Sequence, residues 1–215
     1  MSDQSRLLRE EGELSKQPSA KSAKDWFHAC FRAADRAWLH ARSSLRLLWF
    51  RLLYPGLALG RDVVIGPGVR FRVLNGATLR IGDRTRIDAR AELHSDGKLT
   101  IGADAYIGTG TIIVAAEQIA VGDDALIAAY VVIRDQDHHS EPGELPYRLQ
   151  GLETSPIAIG RNVWIGTGAV ILKGVNVGDN CVIGAKSVVT RSLAADTRAA
   201  GIPARPLTAA AAGNN

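Results

Sequence analysis

The 215-residue sequence has few cysteines, few aromatic residues and no long hydrophobic run. Its 2 cysteines, Cys30 and Cys181, lie far apart, so no disulfide framework is expected and a reducing compartment fits. Only 6% of the residues are aromatic, which disfavours an aromatic-cored sandwich, whereas 22 glycines favour a fold with many sharp corners. The longest charge-free apolar stretch, Leu52 to Leu59, is far shorter than the roughly 20 residues that span a bilayer.

Positive charge is concentrated near the N-terminus, although the whole chain carries a formal net charge of only +4. Between Lys24 and Arg51, basic residues outnumber acids, but this segment has no zinc-knuckle or recognition-helix signature, so nucleic acid is not expected as a partner. The first 25 residues are polar and contain no apolar core followed by a small-residue cleavage site. We therefore expect a cytoplasmic protein.

A six-residue repeat is the main signal. From Ile157 the chain reads IAIGRN VWIGTG AVILKG VNVGDN CVIGAK SVVT. β-Branched aliphatic residues recur at every sixth position: Ile159, Ile165, Ile171, Val177, Ile183 and Val189. Earlier segments keep the same step, from Ile81 to Leu99, from Ile101 to Ile119 and from Val121 to Ile133, with two-residue changes of register between them.

This period matches neither a helix nor an ordinary alternating strand. If each hexad forms one short strand and one turn, three hexads make a triangular coil, and stacked coils bury the aliphatic ladder on their common axis. Glycine after the inward aliphatic residue would let the chain take a turn that a Cβ would obstruct. The repeat therefore predicts a three-sided parallel β-solenoid.

The chain resembles the hexapeptide-repeat acyltransferase family over roughly Leu59 to Leu207. The resemblance rests on DHH at Asp137, on the hexads that follow Pro156, and on AGIPARPL, which ends at Leu207. It is greatest with the galactoside, maltose, xenobiotic and polysaccharide O-acetyltransferase branch. This implies an all-β, left-handed parallel β-helix and an acetyl-CoA-dependent O-acetyltransferase. A homotrimer with active sites between subunits is also implied.

Residues 134–156 interrupt the repeat and hold the candidate catalytic base. His138 and His139 lie in this interruption, and Asp135, Asp137 and Glu141 lie within three residues of His138. A histidine, with an unperturbed pKa of about 6.5, can take the proton from a hydroxyl that attacks a thioester, and a nearby carboxylate can fix its tautomer. By resemblance the base is His138, with His139 as the alternative.

The C-terminal repeats are the candidate acetyl-CoA site. By resemblance, Trp164 walls the acceptor and pantetheine region, Thr167 and Ala185 contact pantetheine through their backbones, and Thr190, Arg191 and Arg205 hold the nucleotide end. Lys186 is a further phosphate partner. Sugar-acetylating relatives carry an asparagine thirty residues before the catalytic histidine, where this chain has Gly108. Cys181 belongs to the small-residue series of the repeat, so no covalent intermediate is expected.

The acceptor is left open by the repeats. A sugar hydroxyl in surface polysaccharide or glycan biosynthesis is the leading interpretation. Serine, an amino sugar or an antibiotic is an alternative, as is a catalytically inactive scaffold. No metal is expected, because His94, His138 and His139 lack the paired spacing of the zinc carbonic anhydrases that share this fold.

Residues 25–56 are predicted to form an amphipathic basic helix. Large and small apolar residues recur there at alternating spacings of four and three: Phe27, Phe31, Ala34, Trp38, Ala41, Leu45, Leu48 and Leu52. The helix could pack on a β-helix, pair with another protein, or contact an anionic membrane surface peripherally through residues 25–54. We expect disorder in residues 1–24 and 208–215, and the β-helix domain in residues 57–207.

Overall fold

The computed structural model describes Phe50 and residues 54–74, 76–143 and 145–207. The disorder expected for residues 1–24 and 208–215 lies outside the described residues. The same is true of the predicted helix except for Phe50 and residues 54–56.

Three parallel sheets form the body of the described chain, and their strands are numbered here in chain order. Sheet A contains β1 (Leu57–Leu59), β4 (Thr78–Ile81), β7 (Lys98–Ile101), β10 (Gln118–Val121), β15 (Ile157–Ile159) and β18 (Asn176–Val177). Sheet B contains β2 (Val64–Ile65), β5 (Arg86–Ile87), β8 (Tyr106–Ile107), β11 (Leu126–Ile127), β16 (Trp164–Ile165), β19 (Val182–Ile183), β21 (Arg198–Gly201) and β22 (Ala204–Pro206). Sheet C contains β3 (Arg70–Val73), β6 (Glu92–Ser95), β9 (Ile112–Ala115), β12 (Val132–Arg134), β17 (Val170–Ile171) and β20 (Val188–Val189).

From β1 to β20, apart from an insertion between β12 and β15, successive strands belong to different sheets. The chain thus winds A, B, C and stacks each coil on the previous one. We name the bend from sheet A to B the first corner, from B to C the second corner, and from C to A the third corner. Neighbouring strands within the three sheets pair in parallel, except β21 and β22, which are antiparallel. The predicted all-β parallel β-helix is confirmed.

The predicted aliphatic ladder forms the core. All six of its C-terminal members are at most 3% exposed. Each coil places one member on each side of the prism, so that Ile159, Ile165 and Ile171 belong to sheets A, B and C in turn. Burying each such side chain stabilises the fold by about 1.5–3 kcal/mol, because its apolar surface leaves water. Cys181 and Ser187 of the small-residue series are also fully buried.

The two-residue changes of register come from longer coils. In sheet A, both Leu99 and Ile101 of β7 face the core and are at most 1% exposed. Register partners in this part of the sheet, such as Leu79 and Leu99, are separated by two more residues than Ala158 and Asn176 in the C-terminal coils. The additional residues lie at the third corner, where Ser95 is buried and donates to the Thr78 carbonyl at 2.8 Å.

Where a glycine follows an inward aliphatic residue, the next coil requires it. An ideal Cβ on Gly166 would lie 2.5 Å from the Ala185 nitrogen and 2.9 Å from the Gly184 carbonyl carbon. The sequence argument assigned this glycine to the turn itself. The obstruction is instead the backbone stacked on it, which cannot move without opening the sheet.

We expect Gly166→Ala to lower the free energy of unfolding by about 1–3 kcal/mol, the usual cost of overpacking a rigid site. Gly143→Ala is the matched control, because a Cβ there would meet nothing within 4 Å. Chemical denaturation with a spectroscopic readout measures both variants. Equal stability of the two would show that the coils separate easily at this corner.

The two ends of the prism have different coverings. At the first coil, Phe50 packs edge-on against Phe71 with ring centroids 4.8 Å apart, and the Tyr54 amide donates to the Phe50 carbonyl at 3.0 Å. Phe50 is helical. At the last coil, β22 turns back and pairs with β21, with Ala199 opposite Pro206.

Candidate functional site

A hairpin extends from the third corner between β12 and β15 and carries both loop histidines. Its strands are β13 (Gln136–His138) and β14 (Leu152–Thr154), and a short 3-10 helix spans Tyr147–Leu149 in the connection. The strands pair antiparallel, with His138 opposite Leu152. His138 is exposed. The fold therefore presents this imidazole on an arm outside the packed prism.

The base of the hairpin keeps the hydrogen-bond ladder of the coils. The fully buried Asp135 carboxylate accepts three backbone N–H bonds, from Ala116 at 2.7 Å, Glu117 at 2.9 Å and Gln118 at 2.8 Å. Its own carbonyl accepts the Ser155 N–H at 2.8 Å. The Asp135 carboxylate thereby takes the place of backbone carbonyl acceptors for these N–H groups. The insertion of the hairpin therefore leaves the stacking of the coils intact.

The two faces of the hairpin point to different coils. Asp137 and Glu153 are register partners, and both form an ion pair with Lys173, which lies at the third corner of the following coil. The next position on each strand must face the other way, because strand side chains alternate. Thr154, on that other face, donates its hydroxyl to Glu117 of the preceding coil at 2.7 Å. His138 shares the face of Thr154.

Lys173 and Glu153 each stabilise the charged form of the other. The Lys173 ammonium hydrogen-bonds the Glu153 carboxylate at 2.6 Å and lowers the pKa of that carboxyl, with a smaller contribution from His139. The same bond to Glu153 raises the pKa of Lys173, and Asp137 adds to this shift. Both groups therefore remain charged at neutral pH. The Lys173 side chain is 23% exposed, so it lies largely against the hairpin.

The acids near His138 in sequence are engaged elsewhere. Asp135 binds the backbone of the preceding coil and Asp137 faces Lys173. Among the described residues, the His138 imidazole has no hydrogen bond. A carboxylate that fixes its tautomer is therefore not supplied by Asp135 or Asp137.

The side-chain amide of Gln150 holds the tip of the hairpin, which exposes apolar side chains. Gln150 accepts the Glu141 N–H at 3.1 Å and donates to the Glu141 and Leu145 carbonyls at 3.0 and 2.8 Å. His139 borders an open groove of about 470 Å³ beside these residues. The large exposed apolar side chains of the hairpin are Leu145, Tyr147, Leu149 and Leu152.

The residues predicted to bind acetyl-CoA are distributed over the C-terminal coils. Trp164 lies on the outer face of sheet B, is 51% exposed and pairs in register with Leu126 and Val182. Thr167 and Lys186 are stacked at the second corner, where the Lys186 amide donates to the Thr167 carbonyl at 2.9 Å.

The other predicted residues complete this distribution. Ala185 lies at the same second corner and is exposed. Thr190 and Arg191 follow β20 at the third corner, and both are exposed. Arg205 lies on β22 at the end of sheet B.

One chain does not bring His138 and Trp164 together. The hairpin leaves the prism at the corner between sheets C and A, whereas Trp164 projects from sheet B, on another side. A site that uses both residues therefore requires a second chain.

Gly108 stands where sugar-acetylating relatives carry an asparagine. It lies at the second corner, where a Cβ would be 2.5 Å from the Ala128 carbonyl carbon and 2.6 Å from the Ala129 nitrogen. A side chain at this position would require the backbone of the next coil to shift, and glycine itself supplies no side-chain amide. An oxyanion donor must come from elsewhere, for example from a backbone N–H.

The described residues contain neither a cluster of metal-ligating side chains nor a membrane-spanning helix. In that part of the chain, no group of three or more His, Cys, Asp or Glu side chains could hold a metal ion. No helix there is long and apolar enough to cross a membrane.

Sequence reasoning missed the residues that hold the hairpin. The burial of Asp135 could have been predicted, because it lies two residues after the inward-facing Ile133 and strand side chains alternate. A buried carboxylate needs hydrogen-bond donors. No sequence signal marked Lys173, Glu153 and Glu117, since their meeting depends on which coils the hairpin lies between.

Comparison with known proteins identifies the family. The signature of the bacterial transferase hexapeptide (six repeats) family matches residues 156–191. A putative lipopolysaccharide biosynthesis O-acetyl transferase of Escherichia coli, WbbJ, is 30% identical over 142 residues, covering 62% of this chain and 72% of that protein. The chain belongs to the hexapeptide-repeat transferase family. The resemblance seen in the sequence is confirmed.

Two further relatives of this hexapeptide-repeat chain extend the comparison. A probable acetyltransferase of Mycobacterium tuberculosis is 32% identical over 167 residues, covering 74% of this chain but only 54% of that protein. The structure of a mutant of AntD, an N-acyltransferase from Bacillus cereus, in complex with dTDP and coenzyme A, superposes with a TM-score of 0.64 at 25% identity. That match covers 74% of this chain and 87% of AntD. The chain thus spans 54% of the length of the mycobacterial relative and 72% of the length of the Escherichia coli relative.

Proposed function

We propose that this protein is an acetyl-CoA-dependent O-acetyltransferase that acts on a sugar hydroxyl, with His138 as the general base. The observation on which this depends is the hairpin at the third corner, which presents His138 outside the prism and is tied to the coils on both faces. Family membership supports acyl transfer, and the coenzyme A bound to AntD supports the cosubstrate. The name of the Escherichia coli relative supports O-acetylation.

The proposed reaction is direct transfer in a ternary complex. A ring nitrogen of His138 takes the proton of the acceptor hydroxyl while the hydroxyl oxygen attacks the thioester carbonyl carbon. The tetrahedral intermediate then collapses, the carbon–sulfur bond breaks, and the imidazolium returns the proton to the CoA thiolate. The products are an acetyl ester and CoA. The buried Cys181, whose thiol lies 3.0 Å from the Ala194 carbonyl oxygen, takes no part.

The proposed acetyl-CoA site lies between two chains of a homotrimer. Trp164, Thr167 and Ala185 would line the pantetheine, with Lys186, Thr190, Arg191 and Arg205 along the nucleotide end. Because His138 and Trp164 lie on different sides of one prism, a neighbouring chain would supply the histidine. No metal is part of the proposal.

An amino-sugar acceptor is the second candidate. AntD is named an N-acyltransferase, and its complex contains dTDP, so a nucleotide-linked amino sugar is a specific alternative. The same histidine and cosubstrate would serve, and the product would be an amide instead of an ester.

The test is acetyl-CoA turnover with a panel of sugars, nucleotide-linked amino sugars and serine, measured as release of the free CoA thiol. We expect acceptor-dependent release above the rate of simple hydrolysis. Mass spectrometry then locates the acetyl group, and hydroxylamine treatment removes an ester but leaves an amide. Acetyl-CoA that neither binds nor reacts with any acceptor would contradict the proposal, and a hydroxylamine-stable product would favour the amino-sugar alternative.

A further inference from the structure

The hairpin meets the coils through a small set of side chains. Within the described part of the chain, its side-chain hydrogen bonds to the coils come from Asp135, Thr154 and Glu153. Asp135 lies at the base, and Thr154 is on the strand end nearest the base. Of these hydrogen bonds, the one between Glu153 and Lys173 is therefore the nearest to His138 along the hairpin.

Lys173 is well placed to hold the hairpin because its own backbone is fixed. The neighbouring Gly174 amide donates to the Ser155 carbonyl at 2.9 Å, so the corner that carries Lys173 is bonded to the hairpin base. The ammonium then reaches Glu153 at 2.6 Å and Asp137 at 3.8 Å, one on each strand. It therefore joins both strands of the hairpin to the following coil.

The consequence for His138 follows from strand alternation. Asp137 directly precedes His138, and Glu153 directly follows Leu152, which is the register partner of His138. Holding Asp137 and Glu153 toward the following coil turns the next register pair, His138 and Leu152, to the opposite face. The orientation of the imidazole thus depends on an ion pair formed by neighbouring residues, Lys173 with Glu153 and Asp137.

We propose that Lys173 is a positioning residue, which locks the His138 hairpin against the following coil through Glu153 and Asp137. This rests on the proposed function for its effect on turnover, but not for its effect on the hairpin. A small misplacement of a catalytic group can cost as much as about a hundredfold in rate. Loss of one exposed ion pair changes global stability little.

The test combines two measurements on the full chain. Lys173→Met is expected to lower kcat about tenfold with little change in the KM for acetyl-CoA, and to speed hydrogen exchange of the amides in residues 136–154. Lys98→Met is the matched control, because Lys98 is an exposed lysine on sheet A without an ion pair among the described residues. It should change neither measurement.

A charge exchange distinguishes the lock from a general structural role. Lys173→Glu and Glu153→Lys should each lower kcat, and the double variant should recover part of it and restore slow exchange in the hairpin. Unchanged exchange and kcat in Lys173→Met, or no recovery in the double variant, would overturn the proposal for Lys173. Faster exchange in a protein that transfers no acetyl group would overturn the proposed function and leave the lock standing.

Discussion

Replacement of His138 by alanine should lower kcat for acetyl transfer about 10²- to 10⁴-fold, the usual contribution of a general base. The folded state should be unaffected, because the side chain is exposed and its strand is held by neighbouring residues. Acetyl-CoA affinity should also persist, since the proposed cofactor residues lie on other coils. Steady-state kinetics with the accepted sugar and titration of acetyl-CoA binding measure the two quantities.

His139→Ala is the matched control for this prediction. The two histidines are adjacent, but strand alternation turns them to opposite faces of the hairpin, and His139 lies near Glu153. We expect a much smaller loss of kcat in this variant. Equal turnover of His138→Ala and the unchanged protein would remove His138 from the mechanism, and a large loss confined to His139→Ala would transfer the role of base to that residue.

Replacement of Asp135 by alanine should lower the free energy of unfolding by about 3 kcal/mol or more. The substitution removes the acceptor of three backbone N–H groups at the third corner. Each donor left unsatisfied in a buried site costs about 1–3 kcal/mol, and those that reach water cost less. Chemical denaturation measures the change, and kcat should fall with it because the hairpin that carries His138 loses the anchor at its base.

Two variants grade the effect of Asp135. Asp135→Asn keeps one carbonyl oxygen as an acceptor but adds donors, so it should be intermediate in stability. Asp123→Ala removes a carboxylate that accepts a single exposed backbone N–H, from Ala103 at 2.7 Å, and should cost clearly less. If Asp135→Ala were no less stable than Asp123→Ala, the carboxylate would not be the anchor of the inserted segment.

The core of this fold could be predicted from the sequence because its signal is periodic and local. Every sixth residue faces the axis, so Ile165 and Ile183 are assigned to the core without knowing which coil lies next to which. The two-residue shifts at Leu99 and Ile119 were visible as breaks in phase. Their cause, a longer third corner, could be identified only in the folded structure, since a bulge would produce the same break in phase.

The site was predictable only in part, because its contacts join residues from different coils. His138 could be proposed as the base because it lies in a segment that interrupts the repeat. The partner of Asp135 could not be predicted. A carboxylate three residues before a histidine can bind either the imidazole or the backbone of the preceding coil. The pairing of Lys173 with Glu153 depends on the hairpin register, which no local pattern encodes.

The antiparallel strand β22 covers the last coil and hinders another molecule from stacking on it. A stack of equivalent parallel coils would offer its final edge as a template on which another chain could continue the same ladder. Here β22 runs against the direction of every other strand in sheet B, and Pro206 has no N–H to donate along that edge. End-on stacking of one molecule upon the next through sheet B is therefore disfavoured. We expect no filaments built through this edge as the protein concentration rises.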